Sequence, residues 1–272
     1  MLPRSLWPLA VFTALSLAGY GTFALAPQRI PSSMPAVMRF YQMSFEVSAQ
    51  AHIVVALLTA LFALRRAAGW RWLRALLATS GLAFLSEWVG TGYGLPFGPY
   101  RYTGLLGPRI GGRVPWSIPI SWFLMALPSF LLARHAFRRR GRALRLVAGA
   151  ALLTIWDLAL DPAMSHLIPY WVWGEPGPYY GMPLVNLVGW MLTGLVLMMV
   201  LERLGAADWG TALPPQWLRG YYTLILAMPV GMLALAGVWG AVAATGLALV
   251  LWAVSALPER AAQAVLPSES AA

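Results

Sequence analysis

Three acidic residues stand at the ends of segments that are apolar enough to cross a bilayer: Glu87, Asp157 and Asp161. Asp and Glu together number only nine among 272 residues. An ionised carboxylate at the centre of a membrane helix costs about 2.5–3.5 kcal/mol on insertion scales. Acids at such depth are usually paired, protonated or used in chemistry. We therefore take these three as the candidate catalytic residues.

Asp157 and Asp161 lie four residues apart in the motif WDLALDP. On a helix they share one face, about 6 Å apart along the axis. Two like charges this close in a low dielectric do not both ionise easily, so one carboxyl is expected to keep its proton. A protonated, buried carboxyl can donate a proton at neutral pH. The structural alternatives are that Asp161 turns the chain before Pro162 and that Asp157 binds a neighbouring backbone.

Glu87 has three possible roles: a second acid, a base that positions water, or a buried partner of Arg101. The chain has no cysteine, and all 19 of its basic residues are arginine. Thiolate chemistry and a lysine Schiff base are therefore excluded. The isolated residues His52, His135 and His166 do not converge at ligand spacing, so we expect neither a metal site nor a cofactor.

The composition indicates one integral membrane domain over residues 1–272, because 60% of the residues are hydrophobic and only 10% are charged. The net charge of +10 is explained by arginine-rich cytoplasmic loops, so no nucleic acid partner is expected. A span needs about 20 apolar residues. The sequence predicts an all-α, polytopic bundle of about eight transmembrane helices, near 6–25, 46–64, 71–90, 115–134, 143–161, 183–203, 218–236 and 239–257.

Loop charges orient this bundle. The arginine-rich loops after the second and fourth helices belong in the cytoplasm, which also places the N-terminus there in a multi-pass protein of the cell membrane. The three catalytic candidates then lie near the non-cytoplasmic face, although the basic loop between helices three and four does not fit this rule. The first helix ends in a stretch like a signal-peptide cleavage site, but Pro27 disfavours cleavage, so we expect it to remain.

Two long loops, residues 91–116 and 162–183, are crowded with Gly, Pro, Tyr and Trp, unlike flexible linkers. We call them the lid loops, because they are expected to form a structured lid over the non-cytoplasmic mouth. The alternative is a plain aromatic belt at the membrane boundary. In and beside these loops lie the candidate substrate-binding residues: Trp88, Tyr100, Arg101, Tyr102, Trp116, Trp156, Tyr179, Tyr180, Asn186 and Trp190.

An internal repeat is suggested by residues 71–134 and 143–203. Each half contains a helix that ends in an acid, then a Gly-Pro-Tyr loop, then a proline followed seven residues later by Trp122 or Trp190. Parallel repeats imply an approximate two-fold axis along the membrane normal. The acids of the two halves are then expected to face each other.

A protonated carboxyl in an apolar cavity with aromatic walls suits protonation of an alkene to give a carbocation. Aromatic faces stabilise such a cation by up to about 2 kcal/mol when it is desolvated. Capture of the cation by water makes a hydratase, and loss of a proton makes a cyclase or isomerase.

At these residues the chain resembles the carotenoid 1,2-hydratase and bisanhydrobacterioruberin hydratase family of carotenoid-biosynthesis membrane proteins. The matching blocks are EWVGTGYGLPFGPYRYTGLLG (87–107), VPWSIPISW (114–122), WDLALDPAM (156–164) and YYGMPLVNLVGW (179–190).

The resemblance implies a cofactor-independent hydro-lyase that adds water to the terminal C1–C2 double bond of an acyclic carotenoid end, as in lycopene or γ-carotene. It also implies the bilayer, water and other carotenoid-biosynthesis enzymes as partners. Carried onto this sequence, the acids of its motifs are Glu87, Asp157 and Asp161. The alternatives are a carotenoid cyclase and a pigment-binding or transport protein without catalysis.

Overall fold

The computed structural model describes residues 2–26 and 35–257, and over these ranges the protein is mostly helical. Short 3₁₀ and π turns extend the first helix at both ends, and a π turn over Pro162–Leu167 extends the helix that ends at Asp161. The nine α-helices of the described residues are α1 (Trp7–Gly19), α2 (Pro35–Ala68), α3 (Arg71–Tyr93), α4 (Ser117–Ala136), α5 (Arg142–Asp161), α6 (Val185–Arg203), α7 (Ala206–Trp209), α8 (Pro215–Leu235) and α9 (Trp239–Ser255).

Helices long and apolar enough to cross a membrane identify the chain as a multi-pass membrane protein. Within the described ranges six segments meet these criteria, and the apolar helix α9 is shorter. Pro27, on which the expectation of an uncleaved first helix depends, lies outside the described residues. The six spans are Arg4–Ala24, Val47–Ala68, Ser117–Ala136, Arg142–Leu167, Val185–Arg203 and Pro215–Leu235.

Two features of the helices add to the sequence prediction: the start of α2 and the division between α8 and α9. The second helix begins at Pro35 rather than near residue 46, and its 34 residues make it about 50 Å long, well beyond the roughly 30 Å core of a bilayer. The apolar stretch at the C-terminal end forms two helices, α8 and α9. They turn at Gly237, whose φ of +78° is readily adopted by glycine.

Helix α4 occupies the centre of the bundle. Fifteen of its twenty residues are buried, and it packs against α2, α3, α5, α6 and α8. The outer helices instead expose large apolar side chains, such as Leu15, Leu58 and Leu192. Extended exposed apolar surface is suited to contact with lipid. A central helix buried on all sides can hold site residues away from both lipid and water.

The lid loops contain short strands, which the all-α prediction did not include. Strand β1 (Tyr100–Tyr102) pairs antiparallel with β4 (Trp171–Trp173), and β2 (Arg109–Ile110) pairs with β3 (Val114–Pro115). Aromatic residues alternate in the first pair, a pattern that favours strands. The β1–β4 pair joins the two lid loops beside the C-terminal ends of α3 and α5.

Candidate active site

Glu87 is buried near the end of α3, where three side chains donate hydrogen bonds to its carboxyl group. The Tyr100 and Tyr102 hydroxyls both donate to Oε2, the latter at 2.7 Å, and Trp122 Nε1 donates to Oε1 at 2.8 Å. Burial and the adjacent Glu87 raise the pKa of Tyr100 and Tyr102 well above the usual range, so both phenols remain protonated donors. Of the three possible roles of Glu87, that of a buried partner of Arg101 is wrong, because Arg101 is exposed.

Asp161 ends α5 and also accepts three hydrogen bonds. Trp171 Nε1 donates to Oδ2 at 3.1 Å, while Trp173 Nε1 and Ser165 Oγ donate to Oδ1 at 3.2 and 2.8 Å. An indole N–H can only donate, so both carboxyl oxygens are held as acceptors. Hydrogen bonds of this kind favour the ionised form of a carboxyl group.

The β1–β4 pair explains how two paired strands provide hydrogen-bond donors to two acids. Tyr100 lies opposite Trp173 and Tyr102 opposite Trp171, and residues two apart on a strand share a face. The inward face of β1 therefore supplies phenols to Glu87, while that of β4 supplies indoles to Asp161. The intervening Arg101 points to the other face, and this alternation is why it does not reach Glu87.

Asp157 has a different environment from the other two acids. It is 1% exposed, and Asn186 Nδ2 donates to its Oδ2 at 2.7 Å. No other side chain or backbone group in the described parts of the chain donates to this carboxyl group. Its hydrogen bonding therefore favours the ionised form less than that of Glu87 or Asp161.

The three acids line one small pocket of about 40 Å³, between α3, α4, α5, α6 and the β1–β4 pair. A buried water needs about 10–15 Å³ measured in this way, so there is room for one or a few waters. Trp122 and Trp190 stack in its wall with ring centroids 4.0 Å apart and an angle of 21° between planes. These two tryptophans occupy corresponding places in the suggested repeat, which stays a prediction.

A much larger apolar cavity of about 500 Å³ borders this acid pocket. It lies between α1, α2, α4, α5 and α8, and it shares four lining residues with the acid pocket. Two others, Leu15 and Val47, are largely exposed on the outside of the bundle. The cavity therefore reaches from the exposed side of α1 and α2 to the wall of the acid pocket. The shared residues, which we call the passage, are Ile118, Ser121, Leu160 and Trp171.

The structure brings together half of the candidate substrate-binding residues. Tyr100, Tyr102, Asn186 and Trp190 line the acid pocket, and Trp156 lines the large cavity.

The other five line neither space. Trp88 packs against Arg113, whose guanidinium carbon is 5.0 Å from the ring centroid, and Arg101 is exposed. Trp116 Nε1 donates to Gln50 Oε1 at 3.3 Å. Tyr179 donates to the Leu158 carbonyl at 2.8 Å, and Tyr180 packs against Tyr179 and His166. Their bonds and ring contacts are those of loop packing.

Several pocket residues escaped the sequence reasoning. Trp171, Trp173 and Ser165 bind Asp161, Trp122 binds Glu87, and Phe97 lines the pocket. Aromatic residues alternate in both WVW and YRY, a pattern that indicates two paired strands. This pattern could have predicted that Trp171 and Trp173 face the site. Among the described residues no group of three His, Cys, Asp or Glu side chains could hold a metal ion.

Comparison with known proteins identifies the family of the chain. A family model described as "Carotenoid biosynthesis protein" matches residues 48–252. The bisanhydrobacterioruberin hydratase of Haloarcula japonica is 32% identical over 130 residues, which cover 47% of this chain and 44% of that relative. The match thus spans less than half of either protein. No solved structure matches the chain significantly. Since the family model covers most of the chain, acids and lid loops included, the protein belongs to the carotenoid biosynthesis protein family.

Proposed function

We propose that this protein is a carotenoid hydratase, which adds water to the terminal C1–C2 double bond of an acyclic carotenoid end of the lycopene or γ-carotene type. The observation that carries the proposal is the junction of two spaces. An apolar cavity suited to a polyene meets a small pocket that three buried carboxyl groups line. The similarity to a relative named as a bisanhydrobacterioruberin hydratase supports the same reaction class.

Asp157 is the best proton donor of the three acids. Among the described residues, Glu87 and Asp161 each accept three hydrogen bonds, whereas Asp157 accepts one. In our proposal the Asp157 O–H bond breaks as the C1–C2 π electrons form a new C–H bond at C2. The product is a tertiary carbocation at C1. The stacked Trp122 and Trp190 rings lie in the same pocket wall, where an aromatic face stabilises a cation.

Water completes the reaction from the carboxylate side of the pocket. A water held by Glu87 or Asp161 attacks C1, a C–O bond forms, and that carboxylate takes up the released proton. Proton transfer back to Asp157 restores the starting state. The volume of the pocket admits water beside the acids but not bulk solvent, so the cation meets one nucleophile.

The substrate enters from the bilayer in this proposal. A carotenoid is insoluble in water, and the large cavity approaches the lipid-facing surface beside Leu15 and Val47. The polyene then lies in the cavity with its tip pushed through the passage. An eight-span topology, with the lid loops on the non-cytoplasmic side, completes the proposed arrangement.

The test is to supply membranes that contain the protein with lycopene or γ-carotene and to measure the pigment mass. A gain of one water supports the hydratase. An unchanged mass with an altered absorption spectrum supports a cyclase, and bound but unaltered pigment supports a binding protein. Glu175→Gln is a matched control, since Glu175 is an exposed acid of the same lid loop as the Asp161 ligands, and its activity should equal that of the wild type.

A further inference from the structure

We infer that the large cavity contains a second polar subsite, formed by Ser16, Ser48 and His52, which binds the hydroxyl group of an alcohol. The inference rests on the proposed function, because the alcohol it assigns is the tertiary alcohol of the hydrated carotenoid end. These three residues lie on the α1–α2 wall of a cavity whose lining is otherwise largely apolar. None of them takes part in the proton transfers described above.

His52 supplies a hydrogen-bond acceptor. It is 6% exposed, and its Nε2 lies 3.3 Å from the Thr13 hydroxyl. Thr13 donates its single hydroxyl proton to the Leu9 carbonyl at 2.8 Å, so the His52 contact requires the proton to be on Nε2. In that neutral tautomer Nδ1 carries a lone pair, for which the described residues provide no donor. His52 lines the cavity, so this lone pair can accept a hydrogen bond from a ligand hydroxyl there.

Ser16 and Ser48 supply a hydrogen-bond donor. Their hydroxyl oxygens lie 3.2 Å apart, and either one can donate to the other. Two hydroxyls carry two protons, and this contact uses one of them. Neither hydroxyl group makes another hydrogen bond within the described residues, so one proton remains for a ligand. A donor beside an acceptor is the arrangement that a hydroxyl group requires.

The arrangement of the helices puts this donor and acceptor within reach of one ligand. Ser48 and His52 are four residues apart on α2, so they share a helical face. Helix α4, which carries the passage residues Ile118 and Ser121, lines the same cavity. A hydrated end that withdraws from the acid pocket through the passage enters the space that this polar wall lines. An unreacted hydrocarbon end has no group to offer it.

The experiment compares the binding of a carotenoid with its 1-hydroxy hydrated product. Dissociation constants are measured by pigment titration in detergent for the full chain carrying Asp157→Asn, which prevents turnover, with and without His52→Leu or Ser48→Ala. Loss of one hydrogen bond predicts about a three- to tenfold weaker binding of the alcohol by each variant, with hydrocarbon binding unchanged. Two variants are used so that poor folding of one does not decide the result.

Ser44→Ala is the matched control. Ser44 lines the same cavity on the same helix, but it donates its hydroxyl proton to the Phe40 carbonyl of its own helix at 2.7 Å. Its removal should leave the preference for the alcohol intact. Equal loss of alcohol and hydrocarbon binding in the His52 and Ser48 variants, or no loss, overturns the inference. Hydration is measured separately in chains that keep Asp157. Slower hydration by the His52 and Ser48 variants with unchanged alcohol affinity also overturns the inference, since the wall would then hold water. Alcohol selectivity together with no hydration by the wild-type chain would instead overturn the proposed function alone.

Discussion

Replacement of Asp157 by asparagine should remove the proton donor of this pocket and leave the fold of the protein almost unchanged. The side chain keeps its size, and an asparagine oxygen can still accept the 2.7 Å hydrogen bond from Asn186. Because Asp157 accepts no other hydrogen bond in the described chain, the amide NH₂ faces no competing donor. We expect the free energy of unfolding to change by only about 1 kcal/mol, because the pocket has room for a water that accepts from the new NH₂ group.

The catalytic loss should be far larger. General acid catalysis contributes about 10²–10⁴-fold in typical enzymes, which corresponds to roughly 2.7–5.4 kcal/mol of barrier. An alkene must receive a full proton before water can attack. Glu87 and Asp161 are both held by donors that favour their ionised forms, so they are poor substitutes. We therefore expect hydration by the Asp157→Asn variant to fall by 10⁴-fold or to vanish, which is the upper end of this range.

The assay is the initial rate of water addition, measured by mass spectrometry of the extracted pigment. Protein amount and thermal stability are checked in the same detergent preparation, and Glu175→Gln serves as the control for loss of an acid. Full turnover by a well-folded Asp157→Asn variant would remove Asp157 as the acid and refute this reasoning.

Four further outcomes are expected. Asp161→Asn should lower the melting temperature, with a cost of about 1–3 kcal/mol, because an amide cannot accept from both lid indoles at once. Glu87→Gln can keep the hydrogen bond from Trp122, but its amide NH₂ cannot accept from the Tyr100 and Tyr102 hydroxyls, so it should lose about 1–3 kcal/mol of stability and hydrate more slowly. An unchanged melting temperature in either variant would contradict the assigned contacts. Ser121→Leu should narrow the passage and reduce hydration of a carotenoid severalfold without loss of folding, as measured by rate and melting temperature. Burial raises the pKa of Tyr179 to about 12 in the folded protein. In the unfolded chain its pKa is about 10, so the unfolded chain loses this proton first as the pH rises and becomes favoured. Stability in melting curves should therefore fall between about pH 10 and 12, and less steeply in Tyr179→Phe.

The sequence predicted the helices better than the number of membrane spans. Apolar runs of about twenty residues predict spans, because the bilayer fixes their length. All eight predicted helices form, but six segments of the described residues are long and apolar enough to cross a membrane, and α3, which carries Glu87, is not one of them. The sequence also indicated Glu87, Asp157 and Asp161 as a set, and the structure places all three around one pocket.

Contacts between the two lid loops, which are distant in the sequence, cannot be predicted from the composition of one helix at a time. Tyr100 and Tyr102 were chosen as aromatic residues of a lid, but their pairing with Trp173 and Trp171 depends on a strand register that neither loop specifies alone. As a charged residue near Glu87 in the sequence, Arg101 is a possible partner of that acid. The partnership does not form because strand alternation turns Arg101 outward, and this is evident only once the segment is recognised as a strand. The large cavity was also hidden, since five separate helices form it.

The most direct measurement is an electron cryomicroscopy map of the Asp157→Asn variant with lycopene bound. We expect polyene density in the large cavity that passes between Ile118, Ser121, Leu160 and Trp171, with the terminal double bond in contact with residue 157. Polyene density outside the large cavity, or an acid pocket that the end of the polyene does not enter, would contradict the proposed mechanism.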